Sequence, residues 1–188
     1  MSPLHSVCVY CGARSGTNPA HIEAAGALGA LIARLGLRLV FGAGDTGLMG
    51  EVALAAFAAG ADTLGVIPTH LIGRERDMGA MARTIVTENM HERKKVMFMN
   101  SDAIAVLPGG AGSLDEFFEV LTWAQIGLHR KPIFLLDIAG YWQPLIGLID
   151  HIIREGFADA SLRDQFAVIP SVAALAPHLS ALGKPQSV

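Results

Sequence analysis

Residues 103–120, AIAVLPGGAGSLDEFFEV, pass from an apolar run into a glycine turn and then into a stretch that opens with acid. AIAVLP (103–108) reads as a buried strand closed by proline. PGGAGS (108–113) gives up side chains, which lets backbone N–H groups approach a ligand at the start of a helix. DEFFEVLTWAQIG continues as that helix. Ser113 is expected to cap it or to offer its hydroxyl to phosphate, and Asp115 and Glu116 to lie in its first turn, near the positive end of the helix dipole. Successive helical residues turn by about 100°. One acid can therefore face a crevice while the other caps or meets solvent; alternatively, both only stabilise the helix start. Phe117 and Phe118 diverge for the same reason, so at least one is a core anchor, and Trp123 reads as packing.

The same grammar repeats on either side. VCVYC (7–11) leads through GARSGTNP to HIEAAGALGALIARL, with Asn18 placed to cap and Pro19 to occupy the first turn. LRLVF (37–41), GAGDTG (42–47) and LMGEVALAAFAAG form a second unit, and TLGVIP (63–68) a third strand. In THLIGRERDMGAMARTIVTEN the charges read as a mobile rim or lid and IV as a short edge strand. NMHERKKVMFMNS (89–101) has helical spacing of Met90, Lys94, Met97 and Phe98. KPIFLLD (131–137) is a further strand, YWQPLIGLIDHIIREGF a helix, FAVIP (166–170) another strand, and SVAALAPHLSAL a helix interrupted or bent near Pro177.

Strands alternating with helices predict an α/β, Rossmann-like three-layer fold with a predominantly parallel central sheet flanked by helices. The ligand crevice then lies beyond the carboxyl ends of the strands, where the glycine loops fall. One nucleotide-binding domain is expected over residues 1–183, with a flexible tail over 184–188.

Composition narrows the function. Fourteen Lys plus Arg against seventeen Asp plus Glu give a formal charge of −3. With no basic run, a nucleic-acid partner is not expected. No apolar run is long enough to span a bilayer and no secretory signal opens the chain, so a cytoplasmic protein with no membrane association is the simplest reading. Cys8 and Cys11 stand three apart in a strand, on opposite faces, which argues against a redox pair; two thiols do not make a metal site.

GAGDTG satisfies G-x-G-x-x-G, yet the following strand ends in proline instead of an acid for ribose hydroxyls. A mononucleotide or other phosphate ligand fits better than a dinucleotide, and a tight structural turn remains an alternative. No Lys-Ser or Lys-Thr follows, so a P-loop is not supported. MHERKK (90–95) lacks the second histidine of H-E-x-x-H and implies no metal. Its Arg93 can fork onto a phosphate or a carboxylate, while Lys94 and Lys95 read as solubilising surface.

MHERKKVM followed by LPGGAGSLDE resembles the Lonely guy family of cytokinin-activating phosphoribohydrolases, long labelled possible lysine decarboxylases. The family signature is approximately P-G-G-x-G-T-x-x-E preceded by M-H-E-R-K. The resemblance spans nearly the whole chain, from CGARSG through GAGDTGLMG to KPIFLLD. It implies catalytic roles for Arg93 and Glu116, a phosphate loop of Gly109, Gly110, Gly112 and Ser113, and nucleotide contacts near Arg14, Ser15, Gly42, Gly44 and Gly47.

Two positions depart from the family. Ser113 replaces threonine and keeps a hydroxyl; Ala43 stands where glycine is usual and alters the local loop. The activity implied is hydrolysis of the N-glycosidic bond of cytokinin riboside 5′-monophosphates, with AMP an additional substrate, by a homodimer that needs no cofactor and no metal. Two alternatives are a non-catalytic nucleotide or molybdenum-cofactor carrier, which the presence of both Arg93 and Glu116 disfavours, and a nucleotide-dependent oxidoreductase. Nothing in the sequence marks a pyridoxal phosphate lysine.

Overall fold

The computed structural model of the chain describes residues 5–73 and 82–183. The rim or lid expected from the charges within 74–81 and the tail expected over 184–188 lie outside the described residues.

Among the described residues seven strands form one sheet: β1 (Ser6–Tyr10), β2 (Arg38–Phe41), β3 (Thr63–Pro68), β4 (Arg83–Thr87), β5 (Ala103–Val106), β6 (Ile133–Leu136) and β7 (Ala167–Ile169). Every pairing is parallel, in the order β4-β3-β2-β1-β5-β6-β7. The inner strands are near-continuous apolar runs because both faces are covered, whereas the edge strand β4 is exposed over four of its five residues. Side chains alternate across the sheet: Val7, Val9 and Cys11 enter one core, Cys8 and Tyr10 the other. The two cysteines are buried and free.

Among the described residues six α-helices make the outer layers: α1 (Pro19–Arg34), α2 (Gly47–Ala58), α3 (Met90–Met99), α4 (Ala111–Gln125), α5 (Gln143–Arg154) and α6 (Val172–Gly183). Residues of α1, α2 and α6 pack in the first core, and those of α3, α4 and α5 in the second. Phe117 is fully buried and Trp123 packs edge-on against Phe98 at 5.0 Å, so the aromatics of α4 serve the core as expected. α6 runs through Pro177 instead of stopping there, and the Ser180 hydroxyl donates to the Ala176 carbonyl beside it.

The chain winds outward from β1 to β4, then returns to place β5 against the other side of β1. That reversal is the topological switch point, where the loops leaving two adjacent strands part and open a crevice. Tyr10 pairs with Val106, so the loops after β1 and β5 leave at the same height. The Gly12 amide donates to the Pro108 carbonyl at 3.0 Å, tying those loops together at their base.

Candidate active site

A cavity of about 510 Å³ lies at this switch point, within the size range of small-ligand sites. Its walls come from the loop after β1, the turn after β5, the first turns of α1, α2 and α3, and the start of α4.

The turn after β5 meets the start of α4 earlier than its sequence suggests. Gly110 is the N-cap residue, and no side chain caps the helix. Ser113 is thus the third helical residue and not the cap, which corrects the first of its two expected uses; it lies 3% exposed on the cavity wall. Asp115 and Glu116 fall in the second turn, not the first. The physical reason is that glycine itself takes the extended cap conformation, so the helix begins as soon as the glycine pair ends. The first intrahelical bond is Leu114 N–H to the Gly110 carbonyl, which leaves the amides of residues 111–113 without helical acceptors at the cavity edge. Gly109 is required for close approach: a Cβ there would stand 2.0 Å from Ser113 Oγ.

Arg93 reaches the cavity from α3. Asn89 caps this helix by accepting from the Glu92 amide at 3.0 Å, and the Glu92 carboxylate accepts from the Glu88 amide at 2.9 Å. This fixes the helix start four residues before Arg93. Its guanidinium, 5% exposed, donates to the Val66 carbonyl at 3.1 Å and to the Gly42 carbonyl at 2.6 Å. A buried charge is thereby held by backbone dipoles just after β2 and within β3.

Lys94 corrects the surface reading. It is 5% exposed and donates to Asp115 at 2.9 Å, with Glu119 at 3.1 Å, whereas Lys95 is exposed. Burial alone lowers the lysine pKa, but its bonds to the two carboxylates outweigh that and raise it. The apolar stripe expected on α3 therefore carries a buried cation that ties α3 to α4.

Glu116 is half-buried on the cavity wall, and among the described residues its carboxylate makes no hydrogen bond or ion pair. Burial pushes its pKa up to about 7; Arg93 and Lys94 pull down, while Asp115 and Glu119 add to the rise. Arg93 donates to two carbonyls, and desolvation of the acid outweighs its through-space pull.

Of the other predicted contacts, Arg14, Ser15, Gly109, Gly110 and Gly112 line the same cavity. Gly42, Gly44 and Gly47 stand behind it. Gly42 receives Arg93, Gly44 N–H points to the Met49 sulfur, and Gly47 packs against the Ala13 backbone. The first amides of α2, from Leu48 and Met49, donate to the Gly12 carbonyl and not outward.

Sequence reasoning passed over His21 and Tyr141, both of which line the cavity. The Tyr141 hydroxyl donates to the Gly109 carbonyl at 2.7 Å, and its ring meets His21 edge-on at 5.3 Å. Cys11 is also on the wall, but burial, followed by the charge of Glu116, raises its pKa and keeps it a thiol. Among the described residues no group of three or more metal-ligating side chains forms a candidate metal site.

A family model described as possible lysine decarboxylase matches residues 49–179. The chain is 39% identical over 178 residues to the probable cytokinin riboside 5′-monophosphate phosphoribohydrolase LOG4 of Oryza sativa subsp. japonica, covering 95% of this chain and 77% of that protein. It is 40% identical to the phosphoribohydrolase LOG7 of Arabidopsis thaliana, over 95% and 82% of the two chains. A molybdenum cofactor carrier protein of Chlamydomonas reinhardtii shares the fold with a TM-score of 0.73 at 23% identity, over 95% of this chain and 98% of that one. A molybdenum cofactor binding protein of Rippkaea orientalis does so with 0.72 at 20%, over 98% and 100%. At that identity these two establish the fold alone.

Proposed function

The chain belongs to the Lonely guy family of phosphoribohydrolases, and from that premise we propose that it cleaves the N-glycosidic bond of cytokinin riboside 5′-monophosphates, releasing the free base and ribose 5-phosphate. AMP is included as a further substrate. One observation carries the reading: Arg93 and Glu116, from separate helices, meet one cavity with the uncapped glycine turn of α4.

In this reading the amides of residues 111–113 and the Ser113 hydroxyl take the 5′-phosphate, aided by the dipole of a 15-residue helix. Binding there fixes the sugar so that C1′ approaches Glu116, one turn further along. As the C1′–N bond breaks, its electron pair leaves with the base, which takes up a proton from solvent. Water forms the new C1′–O bond and gives a proton to Glu116, which returns it to solvent. A carboxylate with its pKa near neutrality is a competent base at pH 7, and its negative charge stabilises the oxocarbenium-like transition state. Arg93, anchored by two carbonyls, keeps a fixed positive charge beside the acid and the sugar phosphate.

The description possible lysine decarboxylase implies pyridoxal phosphate, and the residues present do not fit it. No lysine lines the cavity among the described residues, and Lys94 is held by two carboxylates. No step is assigned to that group.

Residues 1–183 act as one unit in this reading, paired as a homodimer. Support for pairing comes from the edge strand β4, whose Ile85 and Val86 are exposed beside Met99. A nucleic-acid partner forms no part of it, in keeping with the net charge of −3. The cytoplasm is the compartment proposed, consistent with two free thiols. No helix among the described residues is long and apolar enough to cross a membrane.

Purified protein incubated separately with isopentenyladenosine monophosphate and with AMP, followed by chromatography, is expected to yield free base. Tight nucleotide binding with no base release from a broad nucleotide panel would overturn hydrolysis and favour a carrier.

A further inference from the structure

His21 is the third residue of α1 and is 8% exposed, yet it lines the cavity. Among the described residues neither ring nitrogen makes a hydrogen bond. Neither is sealed off: among the described residues the one fully enclosed side-chain nitrogen without a partner is Trp142 Nε1. A nearly buried imidazole whose open ring nitrogens reach a cavity is placed to bond a polar group that enters it.

Its surroundings identify what completes it. The ring stands edge-on to Tyr141, whose hydroxyl holds the Gly109 carbonyl of the turn that opens α4. Nδ1 lies on the Gly16 side, where a Cβ on that glycine would be 3.4 Å away. The imidazole is thus wedged between the loop after β1 and the brace of the phosphate turn. The helix end itself does not supply the contact, because Asn18 takes the Ala20 amide with its side chain and the His21 amide with its carbonyl. What faces the cavity is a side chain able to present an N–H.

We propose that His21 is a further substrate-binding residue, donating a ring N–H to the phosphoryl oxygens of the bound sugar phosphate opposite the amides of α4. This rests on the phosphoribohydrolase reading and adds a second wall to its anion site. Because the contact is the same before and during bond cleavage, it acts on binding and not on the chemical step.

The test uses His21→Phe, which keeps a ring against Tyr141 and removes both nitrogens. KM for AMP or isopentenyladenosine monophosphate is expected to rise about 10-fold or more, with kcat nearly unchanged, as befits one lost hydrogen bond to a charged group. The Kd of ribose 5-phosphate, measured by calorimetry, is expected to weaken by the same factor. His21→Gln, which restores a donor, is expected to recover most of that affinity. Should His21→Phe fail to fold, His21→Leu is read in the same way.

An unchanged Kd for ribose 5-phosphate in a folded donor-free variant overturns the proposal, as does absence of ribose 5-phosphate binding by the wild type. Calorimetry needs no turnover. If the wild type binds ribose 5-phosphate through His21 but hydrolyses no nucleotide, the hydrolase reading fails while this one stands.

Discussion

Lys94 Nζ lies 2.9 Å from Asp115 Oδ2, so the neighbours of these two residues, Arg93 and Glu116, are carried by helices clamped to one another. The lysine side chain is 6% exposed and that of its acid 60%, which makes the pair a lid over the helix junction and not an enclosed ion pair. Lys94→Met keeps the length and removes the charge. Since the acids it leaves behind reach water, the expected loss of stability is only about 1 kcal/mol. The larger effect falls on Glu116, because Lys94 helps to lower that pKa. The acid limb of the kcat/KM profile of Lys94→Met is expected to move to higher pH, and a superimposable profile would refute the clamp's electrostatic role.

Gly42 and Arg93 admit no atom between them. A Cβ on residue 42 would stand 1.8 Å from Arg93 Nη2, so Gly42→Ala must displace the guanidinium. The expected result is a fall in kcat/KM of about 100-fold, on the scale of losing one transition-state charge contact. Destabilisation by urea should be about 1–3 kcal/mol, from carbonyls and a charge left unpaired. Steady-state kinetics and unfolding curves on the same preparation check both.

Glu116 titrates near neutrality, which fixes the sign of two pH effects. Its ionised form is the working one, so kcat/KM should fall as pH drops through about 7 and level off above it. Stability runs the other way. A folded pKa raised above the unfolded value means the native state holds the proton more tightly, so this group's contribution is complete below the unfolded pKa and is lost as pH rises through about 7. Glu116→Gln should therefore reduce kcat by about 1,000-fold. It should also melt at a higher temperature than wild type at pH 8 and no higher at pH 5.

Ala43 sits in the left-handed region with φ of 61°, a conformation that favours glycine. Its Cβ occupies the space that a Cβ on Gly65 would need, the two standing 2.8 Å apart. Ala43→Gly is expected to change stability by at most about 1 kcal/mol, since relief of left-handed strain is offset by the freer unfolded chain. Gly65→Ala should be strongly destabilising alone and much less so with Ala43→Gly, a coupling that a double-mutant cycle by urea unfolding reads directly.

Alternation of apolar runs with helical spacing made the layer order and each of the seven strands readable in the sequence. Asn18 and Pro19 marked the start of α1 correctly because caps act locally. What misled was local in another way. Ser113 looked like a cap because serine commonly is one, but the glycine before Ala111 adopts the cap conformation first. Lys94 looked solvated because nothing in its own helix reveals Asp115 and Glu119, which arrive from α4. His21 and Tyr141 carried no motif at all; only the crossing of the sheet at β1 and β5 brings them to the same cavity.

The structure of Glu116→Gln with AMP bound decides whether the glycine turn and the acid act on one nucleotide. The phosphate is expected on the amides of residues 111–113 and C1′ within roughly 3.5 Å of the residue 116 side chain, the spacing of a near-attack geometry. A phosphate seated elsewhere, with C1′ out of reach of that side chain, would contradict it.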